Sequence, residues 1–378
     1  MGTTNEGGGE AARTVGLRDL LLLSVGGMIG SSVFYYPAYT GKWIGPAAVL
    51  AWLLAGIGMV SVALCYTELA TAFPESGGPA VYPAETLGSN PVVRHFFTYL
   101  EGTSYALGWV FGVAVSAWYV ANYLGAIPGL GAVRAHTVAF GLLAIAATVA
   151  VTYAGIDVTK RANLVLTAFV LAVLAVVAAV GLANGAPANA TPFVTGSGTE
   201  FLAAVGVAIT GYGAWTVVPA AAGEVKNPGR TIPRAIVGSL LLTTAFYALV
   251  VLALHLTVPG NAFASGSAAM YAPLSAIVTA TGHPLLADYA LPLAALVAIF
   301  TTMLVGLTAA ARVLRALAER DTVPSVFGVT SERTNAPIVG LLTVALAAAA
   351  VVVGKRVVGG VVLAALVGTI LPYAINIA

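Results

Sequence analysis

The chain has 378 residues, of which 59% are hydrophobic and only 8% charged, and its mean hydropathy is +0.96. Soluble domains carry roughly 25% charged residues, so the composition excludes a water-soluble fold and leaves a polytopic membrane protein. A net charge of +2 gives no reason to expect nucleic acid as a partner. Four scattered histidines and one cysteine offer neither a metal-ligand cluster nor a disulfide framework.

Residues 1–16 read as a disordered cytoplasmic tail, because Met1 to Ala12 lack the basic-then-apolar order of a cleaved signal peptide. A helix crossing roughly 30 Å of hydrocarbon needs about 20 apolar residues. Ten segments qualify, near 17–36, 46–73, 95–123, 133–154, 164–183, 201–222, 235–257, 289–318, 336–353 and 358–378. Together they make one transmembrane domain over 17–378, with a first repeat over about 17–183 and a second over about 201–378. With the N-terminus inside, 12 of the 16 Lys and Arg fall on the inner side. The positive-inside rule therefore expects a cytoplasmic N-terminus.

Segment one is interrupted at its centre by Gly26-Gly27-Met28-Ile29-Gly30-Ser31-Ser32-Val33-Phe34. Backbone groups freed by such a break cost several kcal/mol each in lipid unless they find partners, so the break points to a ligand. Gly26 and Gly30 alone would also suit close helix packing. Segment six carries a second break at Gly211-Tyr212-Gly213, however, and it opens the second set of five spans. Five spans per half make an inverted repeat, and paired breaks in such repeats mark a midplane binding site.

Past the first break, a half-helix beginning near Ser31 exposes unpaired N–H groups and roughly half a positive charge. A carboxylate would accept there from the Ser31 hydroxyl and from the N–H groups of Ser32 and Val33, in the turn opened by Gly30. The end of the first half-helix and the unwound backbone around Gly211 supply carbonyls, which suit an ammonium. Separate anionic and cationic poles match a zwitterion, hence a free amino acid. No charged side chain falls near the midplane of a span, where one costs roughly 2.5–3.5 kcal/mol, so neutral amino acids are expected.

Three polar connections complete the pattern: Tyr66-Thr67-Glu68-Leu69 through Pro74-Glu75-Ser76-Gly77-Gly78, Glu224-Val225-Lys226-Asn227-Pro228 through Arg234, and Ala311-Arg312 through Pro324. With the first break, they closely resemble four blocks of the amino acid–polyamine–organocation transporter superfamily, in the same order from about Leu17 onward. The resemblance implies an all-α integral membrane protein of about ten helices, a 5+5 inverted repeat with helices 1 and 6 broken (the LeuT-like fold). It implies a permease of the cell membrane, a secondary transporter of amino acids or related amines by alternating access. It implies that the carbonyls of Met28, Thr210 and Gly213 receive the ammonium. The family's segment-six aromatic lid falls on Thr210 here, so Trp215 or Tyr212 would stand in, with Tyr105 and Trp109 on segment three as further aromatics.

Coupling is left open between proton symport, sodium symport and exchange, with no bound cofactor expected. A lysine that some members carry on segment five matches Val170. A sodium site between segments one and eight would draw on Gly26, Ile29 and Thr308, whereas Glu68 and Glu101 are carboxylates able to carry a proton. Ala80 and Thr216 depart from the family pattern, and the sequence stops after span ten where many members have twelve. An alternative within the fold is ion transport like that of the cation–chloride cotransporters, since the Ser31 turn suits chloride too. An enzyme would need convergent ionisable groups within the membrane and a sensor an appended soluble domain; neither is visible in the sequence. Lipid and a small solute are the partners expected, and the sequence leaves the oligomeric state open.

Overall fold

The computed structural model describes residues 13–75, 77–154, 156–263, 273–332, 334, 336–355 and 366–377. Most of the expected tail and the start of the tenth segment lie outside them. The first span is α1 (Leu17–Ile29), a 3₁₀ turn (Ser32–Phe34) and α2 (Tyr36–Ile44). The second half-helix thus begins at Tyr36 rather than near Ser31. Pro37 fits a first helical turn, where its missing N–H costs nothing, and the serines are left in the tighter turn. The sixth span repeats the design as α8 (Gly198–Tyr212), a 3₁₀ turn (Gly213–Thr216) and the short α9 (Val217–Ala220).

Between the breaks run α3 (Ala48–Ala72), the short α4 (Tyr82–Thr86), α5 (Pro91–Leu124), α6 (Thr137–Tyr153) and α7 (Ile156–Asn184). After the second break come α10 (Pro228–Thr257), α11 (Pro273–Ala280), α12 (Leu291–Ala318), α13 (Ile338–Val353) and, behind a π turn, α14 (Leu371–Ile377). Eight stretches among the described residues are long and apolar enough to cross a membrane, and α13 is a shorter apolar helix. Two helices start earlier than their hydropathy suggests. At α5 the Asn90 side chain accepts from the N–H groups of Val92 and Val93, at 3.0 and 3.4 Å, ahead of Pro91. At α10, Pro228 opens a helix that runs straight through Arg230 and Arg234.

The halves interlock through their equivalents. Helix α3 packs on α10, α5 on α12 and α6 on α13, while the first broken span packs on the second. That pairing is what a two-fold relation between the repeats requires. Close approach at the α3–α10 crossing depends on Gly56, where a Cβ would stand 2.6 Å from Thr244 Cγ2.

On the face where α1 begins (the N-side), the three polar sequence blocks are tied to one another. Arg312 pairs with Glu224 at 2.9 Å, and Arg320 with Glu75 at 2.8 Å and Glu85 at 3.5 Å. The Gly77 N–H donates to the Ala220 carbonyl at 3.1 Å from a backbone with φ +107°, a region open to glycine at little cost. Ahead of α1, Val15 forms a parallel bridge with Val225. Its N–H donates to the Glu224 carbonyl and its carbonyl accepts from the Lys226 N–H, both at 2.9 Å.

Gly56→Leu is expected to force α3 from α10 and destabilise the protein by about 1–3 kcal/mol. Thermal unfolding in detergent reads this as a lower melting temperature. Gly58→Leu, where a Cβ meets open space, is expected to leave it unchanged.

Candidate functional site

The two breaks meet around a cavity of about 90 Å³, walled also by α5, α12 and the α14 region. One buried water needs roughly 10–15 Å³ by this measure, so the space suits a small solute. Aromatic rings close it on both sides. Towards the far side, Tyr35 stacks on Tyr119 at 4.5 Å and meets Tyr36 edge-on at 4.4 Å. Towards the N-side, Tyr66 and Tyr373 line the space, backed by the Trp215 indole at 5.0 and 5.7 Å.

At the first break the Ser31 hydroxyl shares hydrogen bonds with Ser116 on α5 at 3.0 Å and with Tyr35 at 3.4 Å. The Ser31 N–H donates to the Thr302 hydroxyl on α12 at 2.9 Å, which itself donates to the Ala298 carbonyl. Gly30 packs so tightly on Thr302 that no side chain fits there.

The carbonyls expected to receive an ammonium are not bare. The Tyr247 hydroxyl on α10 donates to the carbonyls of Met28 and Gly211, so one side chain caps both helix ends. The Thr210 carbonyl accepts from the Gly213 N–H, and the Gly213 carbonyl from the Thr216 hydroxyl at 2.9 Å. A carbonyl oxygen has two lone pairs, which leaves Thr210 one acceptor site beside the cavity, whereas the Gly213 carbonyl also takes the Thr216 N–H of its own 3₁₀ turn. Tyr105 reaches the same turn, 3.2 Å from the Thr216 hydroxyl.

Of the nine expected binding residues, Ser31, Ser32, Thr210, Gly211 and Gly213 line the cavity, and Met28, Gly30, Val33 and Trp215 do not. Trp215 stands behind the wall instead, its ring packed on those of Tyr66 and Tyr373. Tyr105 and Trp109 do line it, as do Tyr36, Thr302 and Ser116, which hydropathy could not single out. Gly108, Gly112 and Ser116, four residues apart on α5, form a small-residue face whose helical spacing was not singled out from the sequence.

Of the expected sodium set, Gly26 and Ile29 are buried outside the cavity wall, and the Thr308 hydroxyl donates to Leu304 of its own helix at 2.7 Å. The hydroxyl that reaches the break belongs to Thr302, beside buried Thr301 and about 9 Å back along α12 at 1.5 Å per residue.

The two carboxylates part company. Glu68 is exposed. Glu101 is fully buried on α5, where the Asn376 amide donates to its Oε1 at 2.6 Å and also contacts the Tyr66 hydroxyl at 2.7 Å. Its Oε2 has no partner, and neither do the buried hydroxyls of Tyr82 and Thr98.

The profile of the family described as "Amino acid permease" matches residues 15–377. The chain belongs to that family. Among curated relatives, this permease is 28% identical over 360 residues to cationic amino acid transporter 1 of Arabidopsis thaliana, covering 91% of the chain and 58% of the relative. It is also 28% identical over 344 residues to the branched-chain amino acid permease BcaP of Bacillus subtilis, covering 86% of the chain and 71% of the relative. The permease thus spans under two thirds of the first relative's length. Its fold is similar to that of MhsT, solved with L-phenylalanine, with a TM-score of 0.69 at 17% identity over 98% of the chain and 89% of MhsT. It is also similar to Mhp1, a nucleobase-cation-symport-1 transporter, with a TM-score of 0.58 at 16% identity over 90% of the chain and 72% of Mhp1. The LeuT-like architecture follows.

Tyr247→Phe removes the donor shared by Met28 and Gly211. A buried carbonyl left without its donor costs about 1–3 kcal/mol, so the melting temperature is expected to fall. An unchanged melting temperature would mean that the link does not hold the breaks.

Proposed function

We propose that this permease is a secondary transporter of free amino acids, neutral ones first, working by alternating access across the cell membrane. The observation that carries the reading is the wall of the cavity between the breaks. It presents hydroxyls and unwound backbone but, among the described residues, no Asp, Glu, Lys, Arg or His. A substrate carboxylate is met by the hydroxyls of Ser31 and Ser116, and an ammonium by the remaining lone pair of the Thr210 carbonyl. A cationic side chain would find no acid, so the branched-chain relative is the better guide to substrate than the cationic one. Aromatic layers on either side suit a site that opens to one face at a time. The distribution of Lys and Arg supports a cytoplasmic N-side, which makes the ion-paired face the inner closure.

In proteoliposomes, labelled leucine or alanine is expected to enter saturably, with no competition from arginine or from excess chloride at fixed ionic strength. Ser31→Ala is expected to raise KM about 10- to 150-fold, as the loss of a hydrogen bond to a charged group would. Uptake of arginine alone, or of none of the twenty amino acids, would overturn the substrate assignment.

For coupling, the reading assigns a proton to Glu101. A buried carboxyl with no ion-pair partner among the described residues takes up and loses a proton without breaking an ion pair, and its hydrogen bonds through Asn376 reach Tyr66 in the cavity floor. Glu68 is exposed and is not given that role. An inward proton gradient is expected to stimulate uptake by the wild type. Glu101→Gln should abolish that stimulation while keeping exchange of labelled for unlabelled substrate. A variant still driven by the gradient would exclude Glu101 as the carrier.

A further inference from the structure

Six glycines line the cavity: Gly27, Gly108, Gly112, Gly211, Gly213 and Gly368. They are not glycine for one reason. A Cβ on Gly27 would stand 2.8 Å from Ala214 Cβ, and one on Gly211 would stand 3.1 Å from the Trp52 ring. Gly108 and Gly368 meet backbone to backbone, so a side chain on either would run into the other. Neighbouring helices close on those four positions.

Gly112 and Gly213 differ. A Cβ on Gly112 would find nothing nearer than the Trp109 ring at 3.6 Å. On Gly213 it would find the hydroxyls of Thr369 and Tyr373 at 3.8 and 4.0 Å. These are ordinary contact distances. Neither backbone requires glycine: Gly112 lies inside α5, and Gly213 has φ −56° and ψ −25°, which any residue adopts. Glycine inside a helix is less stable than alanine, and no close packing here offsets that. What the two positions share is open space on the cavity side.

That space has firm walls. The Trp109 ring rests on Gly306 of α12 with no gap, so it cannot retreat. One turn along α5 is Ser116, at the Ser31 pole, and one turn the other way is the Gly108–Gly368 contact. The nearest atoms are the Trp109 ring at Gly112 and two hydroxyls at Gly213, and the hydroxyls of Ser116 and Thr216 beside them are already engaged with Ser31 and with the Gly213 carbonyl. The space suits an aliphatic group rather than a polar one.

Resting on the amino acid reading above, we propose that Gly112 and Gly213 set the size of accepted substrate. The missing side chains form the room for a branched aliphatic group, making the permease one for neutral amino acids larger than alanine. Filling either position narrows the substrate range from the large end.

The test compares Gly112→Ala and Gly213→Ala with wild type in proteoliposomes, using labelled leucine and labelled alanine. One methylene of misfit in an apolar pocket is worth roughly 10- to 200-fold. The leucine-to-alanine ratio of kcat/KM is therefore expected to fall at least about tenfold in each variant. A ratio that stays constant, or a loss shared equally by both substrates, overturns the proposal. Melting temperatures at or above wild type are expected; a drop in both variants would show that the space is not free and would overturn it equally. Wild-type protein that carries neither substrate would sink the amino acid reading itself, an outcome distinct from an unchanged ratio.

Discussion

A helix cannot stop in the middle of a membrane without partners for the backbone groups it releases. This protein stops two helices there, and the partners come from side chains on other helices. Tyr247 on α10 serves one carbonyl from each break. Thr302 on α12 receives the Ser31 N–H, and Thr216 serves the carbonyl of Gly213 within its own turn. The helices that satisfy the breaks must lie against them, and the space left between becomes the cavity. Backbone satisfaction and site construction are one problem with one solution.

The two breaks are related by the repeat but not solved alike. The first is rich in hydroxyls, with Ser31, Ser116 and Tyr35 in one cluster. The second relies on its own backbone, backed by Tyr105 and Thr216. Helix α5 passes both and contributes a hydroxyl to each, three turns apart. A two-fold scaffold thereby acquires a direction, which a substrate with two unlike ends requires.

Much of this was legible from residue order. Gly30-Ser31-Ser32 and Gly211-Tyr212-Gly213 stood out because glycine and serine interrupt apolar runs, and Ser31, Ser32, Gly211 and Gly213 sit in the cavity wall with Thr210, to which the family resemblance pointed. The rest depended on which turn of a neighbouring helix arrives. Thr302 rather than Thr308 reaches the first break, and a hydroxyl spaced along a helix carries no mark of which turn will face inward. Met28 and Trp215 lie behind the wall, the first with its carbonyl held by Tyr247 and the second with its ring packed on Tyr66 and Tyr373. Tyr247 was invisible because a lone tyrosine in an apolar helix looks like packing. The ends of α5 and α10 were missed where asparagine and proline start a helix ahead of its hydrophobic stretch.

The bridge between Val15 and Val225 has a consequence for time rather than affinity. Any movement that swings the N-side half of the first span away from α9 must first release two backbone hydrogen bonds, each worth about 0.5–1.5 kcal/mol net. Together that is roughly a five- to hundredfold bias toward the clasped arrangement, at 1.4 kcal/mol per factor of ten. Neither residue belongs to the cavity wall, so the clasp favours one arrangement of the N-side without touching what the cavity holds. A catch on a door works in the same way, on whether the door stays shut and not on what fits through it.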